Sequence, residues 1–264
     1  MSNARRIDSI GRLALLCLVA AAGEGLVCPS PVFAQYSVNP VIVQLAAGDT
    51  AETRTVEVRN EGTRPLQLRL YAADFEQAAE GRHTYQPWGE HERSCRDRLT
   101  VTPDVVSIPP GGSRPVTLRM EPATWDPTCW SMVFVESPSR TQAGVFVNLR
   151  IGVKVYGLAG SRSLDGELAA ARVQIVEDAP TLSFAFQNNG DWPLRPEGEV
   201  EVRRFDGELV HTLPLEAFSV LPHHSRRLTI ELPGPLEAGR YLAVPILDYG
   251  GKYLAGSQVA FRMP

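Results

Sequence analysis

The chain has 264 residues, and its 26 Lys and Arg stand against 30 Asp and Glu, which gives a formal net charge of −4. This mild negative balance excludes the strongly basic surface with which proteins bind nucleic acid or an anionic membrane. A chain of this length has room for one or two ordinary domains.

The first residues have the organisation of a secretory signal peptide. Arginines are followed by the apolar run Leu13–Ala22, and a Val-Phe-Ala sequence ending at Ala34 is compatible with cleavage. The apolar run is too short to span a bilayer, which takes about 20 residues, and no later segment comes close. We therefore expect residues 1–34 to be removed, and a protein beginning at Gln35 to enter the periplasm without stable membrane insertion.

The chain that follows the predicted cleavage site shows short strands separated by turn signals and no sustained helical period. Between the third and fourth predicted strands, the polar stretch 76–98 is expected to form a long inserted loop. The strands predicted for the first half are Ser37–Leu45, Thr53–Asn60, Leu66–Phe75, Leu99–Val106, Ser113–Met120, Trp130–Glu136 and Gly144–Val155.

Two cysteines, Cys95 and Cys129, remain after removal of the signal peptide. In an oxidising compartment two such residues favour a disulfide over two free thiols. A bridge between them would close a loop of about 34 residues and stabilise the fold by roughly 4 kcal/mol. His83 and His91 lie in the same loop, but their spacing matches no zinc pattern, so no metal site is predicted.

The last strand of the first half has the clearest pattern in the sequence. Arg150 and Lys154 belong to one of its faces, and an unbroken apolar set forms the other. Such a strand either runs through a sandwich core or lies at a sheet edge, where another chain can pair with it. The apolar set is Val145, Val147, Leu149, Ile151, Val153 and Val155.

The second half repeats the strand count. Its Leu236–Tyr241 segment places a tyrosine just after a glycine turn, where immunoglobulin-like sandwiches have a corner hydroxyl that bonds to the backbone. The predicted strands are Arg172–Glu177, Leu182–Gln187, Glu199–Phe205, Leu209–Leu213, Arg226–Leu232, Arg240–Leu247 and Ser257–Met263.

Two motifs of the first half recur in the second. The turn sequence Asn60-Glu61-Gly62 is repeated as Asn188-Asn189-Gly190, and Val106–Leu118 is repeated in outline by Ser219–Ile230. Repetition over about 100 residues indicates two domains of one fold. We predict tandem immunoglobulin-like β-sandwiches, with residues 35–160 in the first and 161–264 in the second.

Several segments together resemble the first domain of the periplasmic chaperones of pilus assembly, the chaperone/usher type. They are Tyr36–Pro40, Val56–Asn60, Val106–Gly112, Trp130–Glu136 and the long alternating strand. The resemblance implies two immunoglobulin-like domains. It also implies that the last strand of the first domain complements an incomplete pilin subunit by β-strand addition. In this chain the residues at that position are Val145, Val147, Leu149, Ile151 and Val153.

The chain departs from that family at the anchor for the subunit's terminal carboxylate. The family uses two basic residues, one on the first strand and one on the long last strand. No Lys or Arg lies between Gln35 and Glu52. Arg150 and Lys154 are candidates for the second role, because a carboxylate gains a charge-assisted hydrogen bond from such a group. The alternative is that both are solvated charges on a polar strand face.

The sequence shows no nucleophile elbow and no glycine-rich phosphate loop, so we predict a protein that is not an enzyme and needs no cofactor. The main hypothesis is a periplasmic chaperone that donates an edge strand to pilus or other surface-fibre subunits, with an outer-membrane usher as a possible further partner. The alternative is an exported structural or adhesive module of the cell envelope. A third possibility is a polysaccharide binder that uses the loop around Trp88.

Overall fold

Every regular element in the described part of the chain is a β-strand, which confirms the predicted all-β class. The structure is a computed structural model that describes residues 35–46, 50–122, 127–137, 140–142, 145–160, 162–177 and 179–264. The predicted signal peptide, residues 1–34, lies outside these residues. Within them, we find no helix with the length and apolar character needed to cross a membrane.

The first immunoglobulin-like sandwich is built from β1 to β12. One sheet has the order β1-β3-β8-β6, and the other has the order β2-β12-β9-β4-β5 with β7 paired to β4; β10 and β11 form a separate ribbon. The bounds are β1 Tyr36–Asn39, β2 Ile42–Ala46, β3 Glu52–Asn60, β4 Leu66–Gln77, β5 His83–Gln86, β6 Leu99–Thr102, β7 Val105–Ile108, β8 Ser113–Met120, β9 Cys129–Glu136, β10 Arg140–Gln142, β11 Val145–Val147 and β12 Arg150–Leu158.

The second sandwich consists of two sheets. One has the order β13-β14-β17, and the other has the order β16-β15-β18-β19 with β20 also paired to β18. The Tyr241 hydroxyl donates to the Glu237 carbonyl at 2.9 Å, which confirms the expected tyrosine corner. The bounds are β13 Gly166–Val176, β14 Ala179–Asn188, β15 Glu197–Arg204, β16 Leu209–Leu215, β17 Ser225–Glu231, β18 Gly239–Asp248, β19 Ala255–Gly256 and β20 Val259–Met263.

Each sandwich has its own apolar core, built by the alternation of side chains along its strands. In β14, Leu182, Phe184 and Phe186 are all buried, whereas Thr181, Ser183 and Ala185 are half-buried and Gln187 is exposed. Burying a side chain of this size stabilises the fold by about 1.5 to 3 kcal/mol. Both sandwiches lie within one compact unit, and the predicted boundary at residue 160 stays a prediction.

The repeated Asn-x-Gly motif has the same structural role in both sandwiches. The buried amide of Asn60 donates to the Arg64 carbonyl at 2.8 Å and to the Ile108 carbonyl at 3.0 Å. The amide of Asn188 donates to the Trp192 carbonyl at 2.8 Å and to the Val220 carbonyl at 3.2 Å. Each asparagine therefore ties its own turn to the second repeated motif, which explains why the two motifs recur together.

The inserted loop at 76–98 is more ordered than its polar sequence indicated. It contains β5, which pairs with β4, and the predicted disulfide between Cys95 and Cys129 fastens its end to the start of β9. The buried carboxylate of Asp74 holds the middle of the loop. Its oxygens accept hydrogen bonds from the Gly89 and His91 backbone N–H groups at 2.7 and 3.1 Å. They also accept hydrogen bonds from the Ser94 and Ser131 hydroxyls at 2.7 and 3.1 Å.

The long strand predicted over Val145–Val155 is divided in the structure. Residues 145–147 pair with β10, and residues 150–157 pair with β9, with two residues outside any strand between them. The prediction was therefore wrong in making this strand continuous. An alternating pattern specifies which way side chains point, but it does not specify which neighbouring strand supplies the hydrogen bonds.

Candidate functional site

Among the described residues, no strand pairs with one edge of β12 at the beginning of the strand. Over Arg150–Val153 the described partner of β12 is β9, and pairing with β2 begins at Lys154, whose N–H donates to the Val41 carbonyl at 2.9 Å. The N–H and C=O groups of alternate residues point to opposite edges of a strand. Arg150 and Gly152 therefore direct their backbone groups to the unpaired edge, where another strand can add.

The apolar side chains of β12 become more buried along the strand. Leu149, just before β12, and Ile151 are half-buried against the core of the first sandwich. Val153 is 1% exposed and lies inside that core, so its side chain is not available to a partner. The side chains of Val145 and Val147 lie outside the described part of the structure. The predicted binding residues that remain at the surface among those described are thus Leu149 and Ile151.

Tyr36 fixes the chain where it enters this strand. Its buried hydroxyl lies 2.7 Å from the Val135 carbonyl and 3.0 Å from the Leu149 carbonyl, so one side chain connects β1 to β9 and to the residue that precedes β12. Burial raises the pKa of Tyr36 to about 12, which keeps the hydroxyl protonated as a donor at neutral pH.

Removing this hydroxyl should loosen the start of β12. We expect Tyr36→Phe to lower the free energy of unfolding by about 1 to 2 kcal/mol, because the buried hydrogen bond to the Val135 carbonyl is lost. Urea denaturation measures the change. Tyr253→Phe is the control, because Tyr253 is 70% exposed. Equal stability of the two variants would show that the Tyr36 hydroxyl does not hold the strand.

Arg150 lies on aromatic rings. Its guanidinium carbon is 4.5 Å from the ring centre of Phe134 and 5.3 Å from that of Tyr85. Phe134 also contacts Tyr71, with ring centres 5.4 Å apart. Cation–π contacts of this kind are favourable by about 0.5 to 2 kcal/mol. Arg150 therefore already has partners within the chain, which makes it the weaker of the two carboxylate-anchor candidates.

Lys154, four residues further along the same face, is in a different environment. Its pKa is lowered by burial first and then by the positive charges of Arg226 and Arg195. Arg226 lies on β17 of the second sandwich, and Arg195 precedes β15. No ion pair of Lys154 occurs among the described residues. We call Lys154, Arg195 and Arg226 the basic cluster; it is a concentration of positive charge that favours an anion.

His83 borders the basic cluster. Burial, followed by the charges of Lys154 and Arg226, lowers the pKa of His83 to about 4. Its Nε2 atom is buried and has no hydrogen-bond partner within the described residues. The imidazole, which packs edge-on against Phe75 with ring centres 5.3 Å apart, is therefore neutral at physiological pH.

The low pKa of His83 makes stability depend on pH. The unfolded imidazole takes up its proton near the ordinary value of 6.5 and the folded one only near 4, so the unfolded state binds more protons between these values. The protein should lose stability as pH falls from about 6.5 to about 4. Urea denaturation between pH 6.5 and pH 4 should show that the free energy of unfolding falls less steeply with pH in His83→Gln than in the wild type. An unchanged slope in the variant would contradict this assignment.

An apolar cluster joins the two sandwiches beside these charged groups. Trp192 of the second sandwich donates from Nε1 to the Ala159 carbonyl at 3.0 Å, and Trp130 lies edge-on to His224 with ring centres 6.0 Å apart. Leu221 and Trp192 of the second sandwich therefore pack against apolar residues of the first. The buried members are Phe75, Trp130, Met132, Phe134, Tyr156, Leu158 and Leu221.

The sequence identified Lys154 but neither the other residues of the basic cluster nor His83, and these come from both sandwiches. Lys154 was a predicted candidate, whereas Arg195, Arg226 and His83 were not. The sequence carried one usable signal, the repeated motif that ends at Ile230 and contains Arg226. Among the described residues, no group of three His, Cys, Asp or Glu side chains is placed to hold a metal ion.

No family model and no curated protein matches this chain. Among solved structures, the chaperone–tip subunit complex CsuC–CsuE of the archaic Csu pili of Acinetobacter baumannii is 13% identical, covering 86% of this chain and 98% of that one, with a TM-score of 0.49. The class 5 fimbriae chaperone CfaA is 13% identical, covering 85% and 98%, with a TM-score of 0.48. The Salmonella enterica SafB chaperone, solved with the SafA pilin, is 14% identical, covering 88% and 98%, with a TM-score of 0.43.

Proposed function

We propose that this protein is a periplasmic chaperone that binds a β-rich subunit of a pilus or other surface fibre by strand addition at the unpaired edge of β12. The observation that carries the proposal is the absence of a partner strand beside Arg150–Val153 within the described residues. Exposed strand edges are normally protected, because they offer backbone groups to any other strand. An edge left open in the middle of a sheet therefore favours a binding role.

The side chains at this edge suit an apolar groove. Leu149 and Ile151 are half-buried, so part of each remains accessible, and Val145 and Val147 precede them in the same alternation. In strand addition, backbone hydrogen bonds supply affinity and alternate side chains fill pockets that supply specificity. We infer that Val145, Val147, Leu149 and Ile151 fill successive pockets of the subunit.

The basic cluster completes the site as an anchor for the subunit's terminal carboxylate. Lys154 has no ion-pair partner among the described residues, and the charges that lower its pKa are those of Arg226 and Arg195. An unpaired, partly buried ammonium is costly, and a carboxylate would relieve that cost while gaining a charge-assisted hydrogen bond. We propose that Arg226, from the second sandwich, replaces the basic residue that the first strand lacks.

The test is recovery of the subunit from periplasmic extract with tagged protein. Wild-type protein should retain a small β-rich subunit, and Leu149→Asp should lose it while keeping its circular dichroism spectrum. Ile175→Asp is the matched control, because Ile175 is an aliphatic residue of β13 that is 41% exposed. It should retain the subunit. Retention by Leu149→Asp as well, or loss by both variants, would contradict strand addition.

The alternative of a structural or adhesive module predicts a different result. In that case β12 serves only its own sandwich, and charge at Leu149 would lower stability without affecting any captured protein. Burial of Val153 and Val155 is compatible with this alternative, because both side chains belong to the core. Measuring thermal stability beside subunit retention for the same variant separates the two functions.

A further inference from the structure

The turn between β4 and β5 lies against the edge strand β17 of the second sandwich. Within the turn, which spans Ala78–Gly81, the Gly81 N–H donates to the Ala78 carbonyl at 2.7 Å. The Ala79 carbonyl accepts the Arg227 backbone N–H at 2.6 Å and an Arg226 guanidinium N–H at 3.2 Å. One carbonyl of the inserted loop thus holds both the backbone of β17 and the side chain of Arg226.

Two further contacts strengthen this arrangement. The Glu80 carboxylate lies 3.2 Å from the Arg227 guanidinium. Gly81 has a positive φ of 84°, and a β-carbon at this position would lie 2.1 Å from the guanidinium carbon of Arg226. Only glycine therefore leaves room for that guanidinium to pack against the turn.

We propose that the β4–β5 turn is a positioning element that holds Arg226 in the basic cluster and so completes an anion site formed by both sandwiches. This inference rests on the proposed function of the cluster. Gly81 and Ala79 act through Arg226, Glu80 acts through its ion pair with the adjacent Arg227, and none of the three contacts the bound anion. The inserted loop, which the second sandwich lacks, thereby contributes to binding.

The chain offers a direct probe, because Lys154 and Lys252 are its only lysines. NMR of lysine-labelled protein should therefore give one signal from the basic cluster and one internal reference from the exposed residue Lys252. We expect acetate to shift the Lys154 signal saturably and to leave that of Lys252 in place. Arg226→Met and Gly81→Ala should each weaken acetate binding at least threefold.

A double mutant gives the decisive comparison. If Gly81 acts through Arg226, Gly81→Ala should cause no further weakening when Arg226 is already Met. Gly207→Ala is the matched control, because Gly207 has a positive φ of 99° and nothing lies within 4 Å of an added β-carbon. It should bind acetate as wild type does.

Three outcomes would overturn this proposal: additive losses in the double mutant, normal acetate binding by Gly81→Ala, or no acetate shift at Lys154 in the wild type. Leu149→Asp, which tests strand addition, should leave the acetate response unchanged. Loss of the subunit by Leu149→Asp together with normal acetate binding by Gly81→Ala would therefore refute the positioning role alone.

Discussion

Replacing Lys154 with methionine should weaken binding of the captured subunit by about 30-fold or more, because removing one member of a desolvated charge pair costs about 2 to 5 kcal/mol. The same change should not destabilise the free protein. Burial lowers the pKa of Lys154, so the folded state disfavours its charge, and methionine keeps most of the apolar stem. Titration calorimetry with the purified subunit and urea denaturation measure both effects.

Arg150→Met is the matched control for this variant. Arg150 lies on the same face of β12 but packs on Phe134 and Tyr85, so it should contribute little to holding a carboxylate. We expect at most a threefold change in affinity. A larger loss of affinity with Arg150→Met than with Lys154→Met would show that Arg150, and not Lys154, is the anchor. No loss of affinity with either variant would contradict the proposed carboxylate anchor.

Asp74→Ala should give the largest loss of stability, about 3 to 4 kcal/mol, because it leaves several buried donors without an acceptor. Two of these donors are backbone N–H groups of the inserted loop, at Gly89 and His91, and one is the Ser131 hydroxyl beside the disulfide. The loop should become protease-sensitive. Thermal unfolding and limited proteolysis test both parts of this expectation.

Asp206→Ala provides the comparison for Asp74. Asp206 is an exposed turn residue whose carboxylate accepts a single N–H, from Glu208 at 3.1 Å. Its replacement should cost less than about 1 kcal/mol. If Asp74→Ala were no more destabilising than Asp206→Ala, the loop would be held by the disulfide and β5 without the carboxylate.

The sequence predicted the strands well because their signals are local. Alternation and turn residues gave seven of the eight strands of the second sandwich, all but the two-residue β19, and the Asn60 and Asn188 motifs revealed the repeat. The disulfide followed from two cysteines in a chain that the sequence predicts to be exported. The chief errors concerned strand boundaries that depend on which neighbouring strand supplies the hydrogen bonds. The division of the long strand at residues 148–149 is an example.

The candidate site was only half visible, because it combines residues from distant parts of the chain. Lys154 stood out on an alternating strand, but nothing local links it to Arg226 on β17. Asp74 looked like an ordinary strand residue, since its role depends on a loop that folds back over it. Analysis of local sequence patterns does not find contacts between residues that are close in the fold but distant in the sequence.

Amide hydrogen exchange at β12 tests the central claim most directly. In the free protein, the Arg150 and Gly152 amides face the unpaired edge and should exchange faster than those of Ile151 and Val153, which face β9. Binding of the purified subunit should slow exchange at Arg150 and Gly152. Protection of these two amides already in the free protein, or no added protection in the complex, would contradict strand addition at this edge.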